Sequence, residues 1–216
     1  MIQSRIKYFN EIHIDDVSIV GGKNASLGEM YNELTSEGIR VPDGFATTSS
    51  AFWEFLNENK IQRSLENILI KLDRNQYSNL AEIGQQARDS ILKGKFSTAF
   101  SKEIIGAYQK LCKDGLRPVA VRSSATAEDL PSASFAGQHE TFLNIIGKEE
   151  LLSAVKKCFA SLYTDRAIKY REDKGFLHHS IALSVGIQLM VRSDKGCSGV
   201  GFTVDPESGF ENIIVL

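Results

Sequence analysis

Gly115-Leu116-Arg117-Pro118-Val119-Ala120-Val121-Arg122-Ser123-Ser124-Ala125-Thr126 is the stretch at which the texture of the chain changes. Before it, apolar residues recur at helical spacing; after Pro118, runs rich in β-branched residues prevail. Pro118 to Arg122 reads as a strand ending on a guanidinium, with hydroxyls directly behind it. The expected class is α+β, in two lobes: a mainly helical part over residues 1–115 and an α+β part over 116–216.

Upstream, Leu27, Met30, Tyr31 and Leu34 form an apolar stripe between Asn24 and Glu37, with Gly38 as its stop. A short strand over Gly44 to Thr47 leads to Thr48-Ser49-Ser50, caps for a helix that buries Phe52, Phe55 and Leu56. Three further stripes follow: Ile61, Leu65, Ile68 and Leu72; Leu80, Ile83, Ala87 and Ile91; Phe100, Ile104, Tyr108 and Leu111. These read as a helical bundle that supplies core.

Downstream, Thr141 to Ile146 reads as a second strand, and the long loop from Ser123 to Glu140 needs a reason. A helix is expected from Glu149 to about Tyr170, with Leu152, Val155, Phe159 and Leu162 inward. Strands are expected over Ile181 to Val191 and Val200 to Val204. The last run, Asn212-Ile213-Ile214-Val215-Leu216, reads as a strand cut at its apolar end, an aggregation hazard that natural domains avoid; the chain is expected to be the front of something longer.

A net charge of -2 gives no general pull toward nucleic acid or anionic lipid, so neither is an expected partner and any anion site must be built locally. Cys112, Cys158 and Cys197 are far apart and in no CxxC pairing, which argues against a disulfide scaffold or a thiolate zinc site and fits a reducing cytoplasm. The first residues lack a signal peptide's apolar region, and no apolar run approaches the ~18 residues that cross a bilayer.

Gly21-Gly22-Lys23 stands at the mouth of a helix, where free backbone N–H groups, the helix dipole and an ammonium can together hold phosphate oxygens. The spacing is not that of a P-loop, and a plain glycine turn before a solvated lysine explains the local pattern equally well. Arg122 with Ser123, Ser124 and Thr126 suits polyphosphate; pairing with Glu128 or Asp129 is the plain alternative. Pro131 to Gln138, punctuated by Gly137, suits a lid that excludes water, or an ordinary surface loop. Gln188, Leu189 and Met190 suit an adenine slot, although the pattern taken alone is that of a core strand. His13, His139, His178 and His179 lie in no nucleophile or zinc-ligand spacing and read as surface histidines. Asp205 and Glu207 read as a turn and not as a metal pair, so no metal ligand is assigned.

Val20-Gly-Gly-Lys-Asn-Ala-Ser-Leu-Gly-Glu-Met30, Val41-Pro-Asp-Gly-Phe-Ala-Thr-Thr48 and Val121-Arg-Ser-Ser-Ala-Thr-Ala-Glu-Asp-Leu-Pro131 together resemble the amino-terminal nucleotide-binding domain of the phosphoenolpyruvate synthase and pyruvate phosphate dikinase family. Ser134-Phe-Ala-Gly-Gln138, Glu140-Thr-Phe-Leu-Asn144, Ser161-Leu-Tyr-Thr-Asp-Arg-Ala167 and Gly199-Val-Gly-Phe-Thr203 extend the likeness over nearly the whole chain. The resemblance implies an ATP-grasp-like fold clamping ATP with Mg2+. It places Lys23 and Arg122 on the phosphates, Gly137 and Thr141 at the lid and phosphate neighbourhood, and Gln188 to Met190 beside adenine. In the family, ATP phosphorylates a histidine on a swivelling domain, water takes the γ-phosphoryl, and a barrel domain passes the phosphoryl to pyruvate; the products are phosphoenolpyruvate, AMP and phosphate. The segments holding that histidine, the acidic metal ligands and the pyruvate barrel have no counterpart in these residues, so the fragment alone is not expected to turn over. His139 stands where many relatives have glutamine. Rifampicin phosphotransferase and glucan water dikinase share such a domain, and a non-catalytic nucleotide-binding module is the reading from another class.

Overall fold

A computed structural model describes residues 4–113, 115–126 and 140–215 of the chain. In chain order the elements are β1 (Ile6–Tyr8), α1 (Val17–Val20), α2 (Gly22–Ser36), β2 (Gly44–Thr47), α3 (Ser49–Glu58), α4 (Ile61–Leu69), α5 (Leu80–Lys93), α6 (Thr98–Cys112), β3 (Val119–Ala125), β4 (Thr141–Ile145), α7 (Lys148–Ser161), α8 (Asp165–Lys174) and β5 (Leu183–Leu189). The strands make one antiparallel sheet in the order β1-β2-β5-β3-β4. The mixture of helix and antiparallel sheet is the α+β class expected.

The sheet draws on both halves of the sequence. β1 and β2 precede Gly115, β3 to β5 follow it, and the larger core takes Phe45 and Phe52 from one side and Val121 and Ile187 from the other. One face of the sheet carries that core, made with the helices from α3 onward. The opposite face carries α2 and a smaller cluster of Phe9, Ile12, Val20, Ala25 and Ala46. Alternation along the strands sorts the side chains. Val119 and Val121 of β3 and Val185 and Ile187 of β5 join the larger core, while the residues between them face α2.

Sequence signals account for many boundaries. The Thr48 hydroxyl accepts from the Ala51 amide at 3.4 Å and starts α3, and Ser97 does the same for α6 through Phe100 at 3.3 Å. Phe52, Phe55 and Phe96 all pack on Phe159, with ring centroids 5.1 to 6.0 Å apart. Burial of each such ring contributes about 1.5–3 kcal/mol.

Two expectations are corrected. The helix read from Glu149 to Tyr170 is two helices, α7 and α8, separated at Leu162-Tyr163-Thr164, where the Thr164 hydroxyl accepts from the Ala167 amide and begins α8. Its inward residue is Leu151, fully buried, while Leu152 is only half-buried. The strands read at Val200 to Val204 and at the final run reduce to a single antiparallel bridge between Phe202 and Val215. Val200 and Ile214 are 72% exposed, so neither run gains the packing that makes a half-buried strand favourable. Among the described residues no helix is long and apolar enough to cross a membrane.

Candidate functional site

β3 is buried along its length except at one position, Arg122. Its neighbours in the sheet are Gly186 of β5 on one side and Thr141 of β4 on the other. Gly186 has no side chain to cover the arginine. A cation is thereby held at a fixed place on an otherwise dry strand, on the α2 face of the sheet.

The second cation comes from the start of α2. Gly21 separates α1 from α2 with φ +77, a left-handed conformation that favours glycine. Its α-carbon lies so close to β3 that a Cβ there would overlap Ser124 Oγ and stand 2.7 Å from the Ser124 carbonyl oxygen. Gly21 and Gly22 are buried and Lys23 is exposed, so the turn presses its backbone on the strand and turns the lysine outward. Among the described residues the buried Ser124 Oγ has no hydrogen-bond partner.

Lys23, Arg122, Ser123, Glu140, Thr141 and Leu143 line one cleft of about 310 Å³. The sequence-derived pair Lys23 and Arg122 therefore lines one cleft together with Thr141. Ser123 closes the floor: its amide and its hydroxyl both donate to the Glu140 carbonyl, at 3.4 and 3.2 Å. Two cations, an exposed threonine hydroxyl and the amino end of a fifteen-residue helix are the kind of groups that suit a polyanion. Glu140 is the acidic member of the cleft's lining among the described residues. Among the described residues no group of His, Cys, Asp or Glu side chains is arranged to hold a metal ion by itself.

Gln188, Leu189 and Met190 do not line this cleft. Leu189 and Met190 border a second groove, of about 420 Å³, with Val41, Pro42, Arg40 and Arg117. Gln188 is 8% exposed and donates its amide to the Pro42 carbonyl at 3.0 Å. The Leu189 amide donates to Asp43 and the Met190 amide to Pro118, each at 3.0 Å. Those amides serve the sheet. Gln188 faces Ala120, two residues along β3 from Arg122, about 7 Å away on strand geometry.

Gly137, the proposed lid from Pro131 to Gln138, His139, and the alternative partners Glu128 and Asp129 lie outside the described residues. Asp205 heads a turn: its carboxylate accepts from the Ser208 hydroxyl and the Glu207 amide, and its carbonyl from the Gly209 amide at 2.8 Å. His13 and His179 are exposed. His178 is not a surface histidine: it sits between Arg171 and Glu172 at 2.8 and 2.7 Å. Sequence reading also passed over Asn24, whose burial fastens the start of α2, and over Arg171, which is fully buried. An apolar recess of about 390 Å³, between α4 and the residues after α8, is lined by Trp53, Leu65, Leu69 and Phe176 and includes neither Lys23 nor Arg122.

The sheet, the glycine turn and the paired cations define a nucleotide-binding class of domain. Residues 17–216 match the family described as pyruvate phosphate dikinase, AMP/ATP-binding domain, and the chain belongs to that family. Within it, the chain is 50% identical to the phosphoenolpyruvate synthase of Neisseria meningitidis over 100% of its own length and 28% of that protein's. It is 47% identical to that of Escherichia coli over 98% of the chain and 27% of the relative, and 43% identical to a probable phosphoenolpyruvate synthase of Archaeoglobus fulgidus over 97% and 27%. The chain thus spans about a quarter of the length of the curated relatives it matches.

Proposed function

We propose that this chain is the ATP-binding portion of a phosphoenolpyruvate synthase, a cytoplasmic pyruvate, water dikinase that converts ATP, pyruvate and water to AMP, phosphoenolpyruvate and phosphate. The reading rests on one observation: Lys23, from the first half of the sequence, and Arg122, from the second, line the same cleft. The sheet with α2 on one face is read as the first part of an ATP-grasp-like clamp. The phosphates lie over the Gly21-Gly22 turn between Lys23 and Arg122, near Thr141; Gly137, outside the described residues, is assigned to the same neighbourhood by the family resemblance alone. The nucleoside runs along β5 toward Leu189 and Met190, beside Gln188.

Phosphoryl transfer asks chiefly for positioning and for neutralisation of charge on the phosphate oxygens. Lys23 supplies a point charge and Arg122 a planar fork; together they hold the polyphosphate in line for an acceptor on another part of the full-length protein. Mg2+ bound with ATP would neutralise the remaining phosphate charge; among the described residues Glu140 is the carboxylate that lines the cleft. The acceptor histidine and the pyruvate site are assigned to parts of the full-length relatives that have no counterpart in these residues, so the piece alone is not expected to make phosphoenolpyruvate.

Arg122 is exposed, so its loss does not open the core. In the full-length protein Arg122→Ala is expected to lower ATP-dependent phosphoryl transfer by about 10²-fold or more, with an unchanged far-ultraviolet circular dichroism spectrum. Near-normal turnover by that variant overturns the assignment.

A further inference from the structure

We propose that Asn24 is a positioning residue, which latches the first turn of α2 to β5 through Ser184 and so sets Lys23 across the cleft from Arg122. The proposal rests on the reading of that cleft as the polyphosphate site.

Asn24 is 1% exposed, at a helix position where asparagine is a poor choice on propensity alone. Its amide nitrogen spends both hydrogens: one goes to the Val20 carbonyl at 3.0 Å, the other to Ser184 Oγ at 2.9 Å. Ser184 in turn donates to the Thr47 carbonyl at 2.6 Å, and Thr47 Oγ1 accepts from the Val185 amide at 3.0 Å. The direction of donation is thereby settled along a line that crosses from α2 to β5 to β2. Buried polar chains of this kind are costly when half satisfied, and so they select one register of helix on sheet.

The far end of the same amide makes the link to the cleft. A Cβ at Gly186 would overlap Asn24 Oδ1 and stand 3.1 Å from its Cγ, so Asn24 seats on the bare backbone of Gly186. Gly186 is the cross-strand partner of Arg122. The residue next to Lys23 therefore rests on the residue opposite Arg122. A shift of α2 along the sheet cannot occur without breaking the Ser184 bond or driving Asn24 off Gly186, and either would alter the separation of the two cations. An apolar contact would hold the helix against the sheet as firmly, but it would not fix this register.

Alanine is the better helix former, so Asn24→Ala removes the latch without weakening α2 itself. The test uses the full-length protein, with the dissociation constant for Mg-ATP and kcat for ATP-dependent phosphate release measured alongside the melting temperature. Asn24→Ala is expected to raise the dissociation constant or lower kcat by on the order of 10- to 100-fold, as misplacement of a binding group by about 1 Å does. Ser184→Ala, which keeps Asn24, is expected to move the same quantities less. The decisive arm repeats both changes in a Lys23→Ala background, where a group that acts by placing Lys23 has nothing left to place and adds no further loss. A merely structural role predicts the full loss in both backgrounds, or a fall in melting temperature with unchanged constants, and either result overturns the proposal. Should Asn24→Ala fail to fold, the Ser184→Ala pair decides by the same comparison. If Lys23→Ala itself leaves Mg-ATP binding and kcat untouched, the reading of the cleft fails; if Lys23→Ala is disabled while Asn24→Ala and Ser184→Ala are normal, only the latch fails.

Discussion

The imidazole of His178 accepts a hydrogen bond at Nδ1 from Nε of Arg171, 2.8 Å away, which leaves its own proton on Nε2, 2.7 Å from Glu172 Oε1. A guanidinium can only donate, so the tautomer is imposed by the neighbour. Arg171 is fully buried, donates Nη1 to the Leu162 carbonyl at 2.6 Å, and has its pKa lowered to about 10 by burial. The other oxygen of Glu172 accepts from Arg74 at 2.9 Å. Two arginines and a carboxylate thus surround a histidine held neutral.

Acid should loosen this corner. Burial first, and then the Arg171 charge, hold the His178 pKa below its ordinary value, with Glu172 opposing. The unfolded chain takes up the proton near pH 6.5 and the folded chain only at lower pH, so the unfolded state binds more protons in between. The contribution of His178 to stability is therefore present above about pH 6.5 and lost as pH falls toward its folded pKa. The melting temperature of the chain is expected to drop between about pH 7.5 and pH 5.5, and His178→Gln, which has no proton to gain, should flatten that drop. An equal pH dependence in the variant would remove His178 from the account.

Gly21 and Gly38 both have positive φ, at +77 and +82, so an alanine at either is strained. At Gly21 the strain is larger than the usual left-handed cost of about 1–2 kcal/mol, because ψ there is 160, a region open essentially to glycine alone. At Gly38 a Cβ would meet open space; at Gly21 it would strike Ser124. Gly38→Ala is expected to lose only the backbone cost in urea unfolding. Gly21→Ala should lose clearly more, by a further 1–3 kcal/mol or about that, as overpacking does. Equal losses would mean that the approach of α2 to β3 is looser than described.

Much of this architecture is legible in the sequence because its signals are local. Thr48 caps α3 as read, β2 matches Gly44 to Thr47, and the stripe Leu80, Ile83, Ala87 and Ile91 is the inward face of α5. The break before α8 was also written locally, in Thr164-Asp165, but the apolar spacing through Leu162 ran past it. Val200 to Val204 shows the opposite failure: a strand-like run with nothing to pack against. At the site, Lys23 and Arg122 are recognisable as residue types, whereas their meeting depends on contacts 160 residues apart, between Asn24 and Ser184. Arg171 sits within Tyr170-Arg171-Glu172-Asp173-Lys174, which looks solvated, and its burial depends on a backbone carbonyl and a histidine seven residues on. No periodicity marks such partners.

The three cysteines should separate cleanly by reactivity. Cys158 is fully buried in the larger core beside Phe159, and burial pushes its thiol pKa well above the usual range. Cys112, 4% exposed, points its sulfur at the Arg117 carbonyl, 3.9 Å away. Cys197 is exposed. The thiolate is the reactive form, so Cys158 is disfavoured twice, by access and by charge, and Cys112 by access. Titration of the folded chain with a chromogenic disulfide reagent is expected to give one fast equivalent, which Cys197→Ser abolishes, and three after addition of guanidinium. A second fast thiol in the folded chain would place Cys112 or Cys158 within reach of solvent, and would mean that α6 or α7 opens far more readily than its packing allows.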